Sequence, residues 1–591
     1  MPHTIARVVT AYTALILLAW CSSAPAQQAP AGNAHPQTQI LSDRDDASTP
    51  FGEPVFGVSP DSAAKQQFAS QVNLAPLGSL AVFHNGRVKL VDTLAREIVG
   101  SIAGRKFYTE PGEPSSFRYQ PLFTLLDLCI DPEYYADKPL LFVNYVHLRR
   151  EFLESALPDD ASAQERWMKM QRVTPLMVQN SLESILARHG SEPAYNLAIA
   201  ELEQSIMLWQ RGGSNFLLVA PATRDAQWMP LASLPADHPA RLAAAQLGQA
   251  WRARDAAAVN SAVGTLASVL PTISPEVYPT RKLEVEAAYN RANAFEWGFW
   301  AYFVSLLTMM LAFGTGRAWL RWTGLAMLAL AIGLHAFGFV SRCLIAERFA
   351  IQNQFESMTG LSLFAAVVGL TISLARKQAI FGAAAAGVGF MVLVTATQTG
   401  LPGANIEREA PILNTSVLLK YHVTTVLVSY GLISLGFIVS LFYLGTHYFA
   451  GKPADSAEIA GAGTLSGDEL AAAALGHDGD RPLVGGRARL LADLDTAQMI
   501  ALQLAFWTLG VGLLLGAWWA DHSWGRWWAF DPKETWALLT WIIYLIVIHM
   551  RFTTGRNRGL VTAWLSVAGF VMMLWTYFGV NLLLPGLHAY A

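Results

Sequence analysis

The sequence predicts an all-α protein: a polytopic membrane bundle of about eight transmembrane helices, preceded by an exported, mostly helical N-terminal domain. Three observations predict it. The 591 residues are 53% hydrophobic and 14% charged, with a mean hydropathy of +0.32, too apolar for one soluble domain. The apolar residues gather in the C-terminal half, in runs close to the ~20 residues that a bilayer core requires. The N-terminus has the layout of an export signal. A net charge of −3 and a pI near 6.5 offer no basic face, which sets nucleic acid aside as a partner.

Residues 1–26 read as a signal peptide. His3 and Arg7 precede an apolar run from Val8 to Trp20, and Ala24-Pro25-Ala26 supplies a small-x-small cleavage site. Cys21 invites a lipoprotein reading, but Trp20 is bulky where a lipobox needs a small residue. An uncleaved anchor would leave the same domain outside. Residues 27–76, rich in Ala, Gln, Pro, Ser and Asp and without periodicity, are expected to be a flexible leader. Residues 77–294 read as a mostly helical domain on the periplasmic side, with apolar residues at helical spacing in 151–157 and 166–188. Asn85-Gly86-Arg87 signals a hairpin or turn, leading to a capped helix at Asp92–Glu97. With Cys21 inside the signal, Cys129 and Cys343 remain, and no Cys-x-x-Cys or Cys-x-x-Cys-His motif occurs. The chain is therefore neither an ordinary thiol oxidoreductase nor itself a c-type cytochrome.

Eight spans are expected at 295–313, 322–340, 358–375, 379–397, 422–445, 499–519, 535–550 and 559–583. An even number returns the C-terminus to the side of the exported domain. The connections then facing inward carry eleven Lys and Arg against six in those facing outward, which supports the orientation. The Gly-, Ala- and Asp-rich stretch 451–490 becomes an inward-facing linker.

Residues 524–541 carry five tryptophans around Asp531-Pro532-Lys533-Glu534, at a break between two apolar runs. Tryptophans belt membrane interfaces, and a histidine at a span end can snorkel or bond a carbonyl, so each residue alone has a bland explanation. As a set they suit a flat, amphipathic ligand. Indoles supply a stacking surface, and His422 and His588, each at the outer end of a span, supply imidazoles. Asp531 before Pro532 reads as a turn-former.

The run from Trp524 through Trp527-Trp528-Ala529-Phe530-Asp531-Pro532-Lys533-Glu534 to Trp541 resembles the WWD signature of haem-handling proteins. With Gly516-Ala517-Trp518-Trp519 before it and Gly586-Leu587-His588 after the last span, it is similar to the CcsA/ResC family of system II cytochrome c biogenesis. The resemblance is close over 410–591 and looser over 295–400.

It implies a subunit of a cytochrome c haem lyase in the bacterial inner membrane. Such a protein carries haem b to the outer face, bound non-covalently, and presents it to Cys-x-x-Cys-His of apocytochrome c. The implied partners are a ResB-like protein, apocytochrome c and a thioredoxin-like thiol reductant. By matching, His422 and His588 are the outer axial ligands, His549 lies on the inner haem path, and the loop 518–536 contributes Trp519, Trp524, Trp527, Trp528, Asp531, Lys533 and Trp536 to haem binding. Lys533 is the cation for a haem propionate. His335 and His447 are the further candidates for an internal ligand, and His335 and His549 stand at opposite depths. Phe530 occupies a place where the family usually has Trp. An exporter or chaperone of haem without ligation activity is the alternative, and a solute channel with an aromatic belt a third reading.

Overall fold

The computed structural model describes residues 50–52, 61–111, 116–189, 192–210, 216–376, 378–399, 403–407, 417–449, 486–553, 557–584 and 586. The expected signal peptide and most of the linker 451–490 lie outside them, as does His588.

The N-terminal domain is mostly helical. A hairpin of β1 (Ala81–His84) and β2 (Arg87–Leu90) turns at Asn85 and Gly86, with φ of 48° and 76°. Two consecutive left-handed residues are what a two-residue hairpin turn requires, so the Asn-Gly signal holds. The helix Val91–Ala103 follows directly, its N-cap at Leu90, so Asp92 lies in the first turn instead of capping it. The expected helix 166–188 is divided: Ala161–Met170 and Pro175–His189 flank the short strand Arg172–Val173, with Pro175 opening the second helix. Part of the expected leader is also helical. Ser62–Gln71 buries Phe68 and Lys65, and Lys65 pairs with Asp127 at 2.6 Å and with Asp131 at 2.9 Å. Composition alone does not reveal pairing with an acid 62 residues further on.

Among the described residues nine helices are long and apolar enough to cross a membrane. One, Ala256–Ile273, packs along Pro239–Ala253 in the N-terminal domain, its alanines raising its hydropathy. The other eight match the expected spans: α1 (Ala294–Thr315), α2 (Ala318–Ala346), α3 (Gln354–Arg376), α4 (Ala379–Gln398), α5 (Val417–Phe449), α6 (Gly486–Trp524), α7 (Pro532–Thr553) and α8 (Arg558–Leu574). Helices α1–α4 pack around Phe295, Tyr302, Leu328, Met358 and Leu393. Helices α5–α8 pack around Leu427, Ile433, Leu502, Phe506, Tyr544 and Met573. At 39 residues α6 is about 58 Å long, well beyond a ~30 Å hydrocarbon core. Alternation of direction brings the α2–α3, α4–α5 and α6–α7 connections to the end where α1 leaves the N-terminal domain.

That end is tied down by charge. Glu356 on α3 and Arg342 on α2 are both fully buried and pair at 3.2 Å, while Arg348 reaches the same carboxylate at 2.6 Å. Glu356 also accepts the backbone N–H of Gln352 at 3.2 Å, fixing the connection 351–354. Arg342 donates onward to the carbonyls of Gly403 and Ala404 and to the Tyr289 hydroxyl of the N-terminal domain. A second arginine, Arg87 of the hairpin, donates to the Ile406 carbonyl at 2.6 Å and pairs with Glu286 at 3.3 Å. Burial pushes the Glu286 carboxyl above its usual range and Lys89 beside it below.

Removing one partner of a buried ion pair strands the other charge, so Glu356→Ala should cost about 3–5 kcal/mol. Thermal unfolding in detergent should show a large downward shift. Glu165→Ala, which breaks an exposed pair with Lys169, should leave the transition unmoved.

Candidate functional site

A cavity opens at the tethered end of the bundle, where α5, α6, α7, the end of α8 and the 351–354 connection meet. It holds about 1370 Å³ of atom-free space, counting its open mouth. Its apolar walls include Leu419, Val423, Val426, Trp519, Trp528 and Tyr577, and its polar lining includes His422, Lys420, Lys533, Glu534, Gln352, Asn353 and Gln354.

His422 lies one turn into α5, and its Nδ1 stands 2.8 Å from the Gly512 carbonyl of α6. A carbonyl only accepts, so Nδ1 carries the proton and the neutral ring keeps its lone pair on Nε2. The ring lies close over α6: a Cβ on Gly516 would stand 2.6 Å from His422 Cε1. One turn earlier, a Cβ on Gly512 would stand 2.8 Å from Val426. Two small residues four apart let the backbones of α5 and α6 approach, a packing common in membrane bundles.

The tryptophans divide into three groups. Trp519, 2% exposed, and Trp528 line the cavity, and Trp524 meets Trp519 edge-on at 4.9 Å. Trp527 is 56% exposed outside the cavity. Trp536 and Trp541 belong to α7 and pack inward, against Trp575 at 5.7 Å and Phe506 at 5.0 Å respectively. The run of five is therefore not one shelf, because α6 ends at Trp524 and α7 starts at Pro532, and helical register points the outer members elsewhere. Phe530 is 79% exposed with φ of 56°, a left-handed turn residue outside the cavity.

The charged core of the loop also divides. Asp531 accepts the Lys533 N–H at 3.2 Å, and Glu534 reaches back to the Ala529 N–H at 2.9 Å. These are the bonds that start α7 and close the loop onto it. Lys533 lines the cavity, as does Lys420, which the sequence did not single out. Gly586 is pressed on Asp531: a Cβ there would stand 2.6 Å from Oδ1. Gly586 is thus placed at the loop.

His549 is at the opposite end of α7, exposed, with Nδ1 2.8 Å from the Leu545 carbonyl. His335 is fully buried between α1 and α2, its Nδ1 3.3 Å from the Tyr302 hydroxyl, away from the cavity. His447 sits between Tyr443 and Tyr448 at the far end of α5. Sequence reasoning also missed a π-turn, Trp575–Gly579, which brings Thr576 and Tyr577 to the cavity. Single π-turns inside helices often mark functional sites.

An apolar bundle of eight membrane-length helices with an aromatic-lined cavity at one end defines a multi-pass membrane protein. Its residues 295–588 match the family model of the cytochrome c assembly proteins. Relatives include the cytochrome c biogenesis protein CcsA of Parasynechococcus marenigrum, 32% identical over 297 residues that make up 50% of this chain and 94% of that protein. CcsA of Porphyra purpurea is 30% identical over 311 residues, 49% of this chain and 94% of that protein. The chain belongs to the CcsA family of cytochrome c biogenesis proteins. The matched region coincides with the membrane bundle and leaves the N-terminal domain outside it.

The close approach at Gly516 generates a test. Gly516→Ala should displace the His422 ring and lower cytochrome c maturation in cells about tenfold at unchanged protein level, the scale on which disturbed ligand support acts. Gly445→Ala, where a Cβ meets only open space, should leave maturation intact.

Proposed function

We propose that the cavity holds haem b as cargo and presents its vinyl edge to the Cys-x-x-Cys-His motif of apocytochrome c. The observation that carries this reading is His422, its Nδ1 engaged by the Gly512 carbonyl, in the lining of a cavity that also contains Trp519 and Trp528. Among the described residues no group of three or more His, Cys, Asp or Glu gathers to hold a bare metal ion. A metal already held in a macrocycle needs only axial ligands, and one oriented imidazole meets half of that need.

In this reading His422 Nε2 is one axial ligand and His588, two residues beyond the contact of Gly586 with Asp531, is the other. Lys420 and Lys533 meet the propionates, and the indoles of Trp519 and Trp528 cover the porphyrin face. Trp524 holds Trp519 in place. Asp531 and Glu534 build the loop, Glu534 also lining the cavity, while Trp527 stands outside the cavity and Trp536 packs against Trp575. Lys533 and His549 are 16 positions apart on α7, about 24 Å, so His549 belongs to haem uptake at the other face.

The attachment adds each cysteine thiol across a vinyl double bond. A carbon–sulfur bond forms, the thiol proton ends on the neighbouring carbon, and no electrons are gained or lost. The protein contributes position, not a nucleophile. Reduced thiols come from a thioredoxin-like reductant, and a ResB-like protein is the membrane partner. The N-terminal domain and the loop share one end of the bundle, which fits the periplasmic face of the bacterial inner membrane.

Protein purified from haem-replete cells together with its partner should show a haem absorption spectrum. His422→Gly should lose it, added imidazole should restore it, and maturation of a Cys-x-x-Cys-His reporter should fall and recover in parallel. A colourless wild-type preparation would contradict haem as the cargo. Haem without reporter maturation would favour export or chaperoning alone.

A further inference from the structure

A second recess lies beside the cavity, between the N-terminal domain and the membrane helices. It is an open cleft with about 2680 Å³ of atom-free space, counting its mouth. Gln352 lines both the cleft and the cavity. Gln352, whose backbone N–H is held by Glu356, is thus part of a wall they share. Whatever occupies the cleft lies next to whatever occupies the cavity.

We propose that the cleft holds an extended segment of apocytochrome c next to its haem-binding motif. This rests on the reading that the cavity presents haem. One wall of the cleft is an irregular sheet edge. Phe83 of β1 donates to the Leu217 carbonyl at 3.0 Å, and Val219 exchanges both backbone bonds with Met229 at 3.1 Å. Because extended backbone alternates, the N–H and C=O of Trp228, next to the Val219–Met229 bridge, point to the outer side of this edge. An unfolded polypeptide added there gains main-chain bonds that do not depend on its sequence, as an acceptor of varied sequence requires. Half-buried Trp228, backed by the core residue Tyr278 at 6.4 Å between ring centroids, offers an aromatic contact for its side chains. The cleft carries both cations and acids, Arg224 and Lys282 with Glu276 and Glu407, a mixture that suits a polypeptide of mixed charge.

The test uses the full-length protein in membranes, co-expressed with a Cys-x-x-Cys-His reporter apocytochrome. A photo-crosslinking phenylalanine analogue is placed at position 228 or, as control, at position 197, where Leu197 is 66% exposed on a helix outside the cleft. Position 228 should capture the reporter and position 197 should not. Trp228→Ala should lower reporter maturation about tenfold, the scale of losing an aromatic anchor, while the haem spectrum of the purified protein stays that of wild type. That retained spectrum separates loss of docking from misfolding. Equal capture at both positions, no capture at 228 by a protein that matures the reporter, or capture of a different protein at 228 would overturn the proposal. A wild-type protein without haem would instead overturn the reading of the cavity on which it rests.

Discussion

The carboxylate of Glu356 is the constraint on which the functional end of this protein depends. It is fully buried, and its oxygens accept from Arg342, Arg348 and the backbone of Gln352. Through Arg342 it reaches the 403–404 carbonyls and the Tyr289 hydroxyl. A buried charge is costly unless every lone pair finds a donor, so these contacts stand or fall together. The reward is geometric: the N-terminal domain, α2, α3 and the α4–α5 connection converge on one point, and the cavity wall 351–354 is fixed beside it. Arg87, bonded to Ile406 and paired with Glu286, repeats the same device on the other side of the junction.

Against this fixed wall, α5 and α6 form the other side of the cavity by small-residue packing. Gly512 supplies the carbonyl that sets the tautomer of His422, and Gly516 leaves room for its ring. The imidazole is therefore oriented by backbone, a rigid partner. The loop is fixed in the same manner, by Asp531 and Glu534 bonding backbone N–H groups at the start of α7. The charged residues of the loop thus serve two purposes: the acids build it, and Lys533 is left to face the cavity.

The membrane bundle was legible because a span is a long apolar run, and all eight expected runs are helices. The cavity was legible in part. The structure brings His422, Trp519, Trp528 and Lys533 together in one lining. Trp536 and Trp541 stand apart from that lining because a cluster in sequence becomes several faces once α7 imposes its register. Lys420 lies two residues before His422 and passed for a charge at a span end. Gln352, Asn353 and Gln354 carry no motif; only the ion cluster around Glu356 makes them a wall. The π-turn at Trp575–Gly579 has no compositional signal either. In the N-terminal domain, helix Ser62–Gln71 was hidden in a low-complexity stretch because its stability comes from Lys65 meeting Asp127.

The central claim is that His422 and the tryptophan-walled cavity hold the macrocycle. An experimental density map of the protein purified, with its partner, from haem-replete cells tests it most directly. Porphyrin density is expected in the cavity, with iron bonded to His422 Nε2 and a macrocycle face against Trp519 and Trp528. Porphyrin lying elsewhere in the bundle of a pigmented preparation, with the cavity empty and His422 unligated, would contradict it.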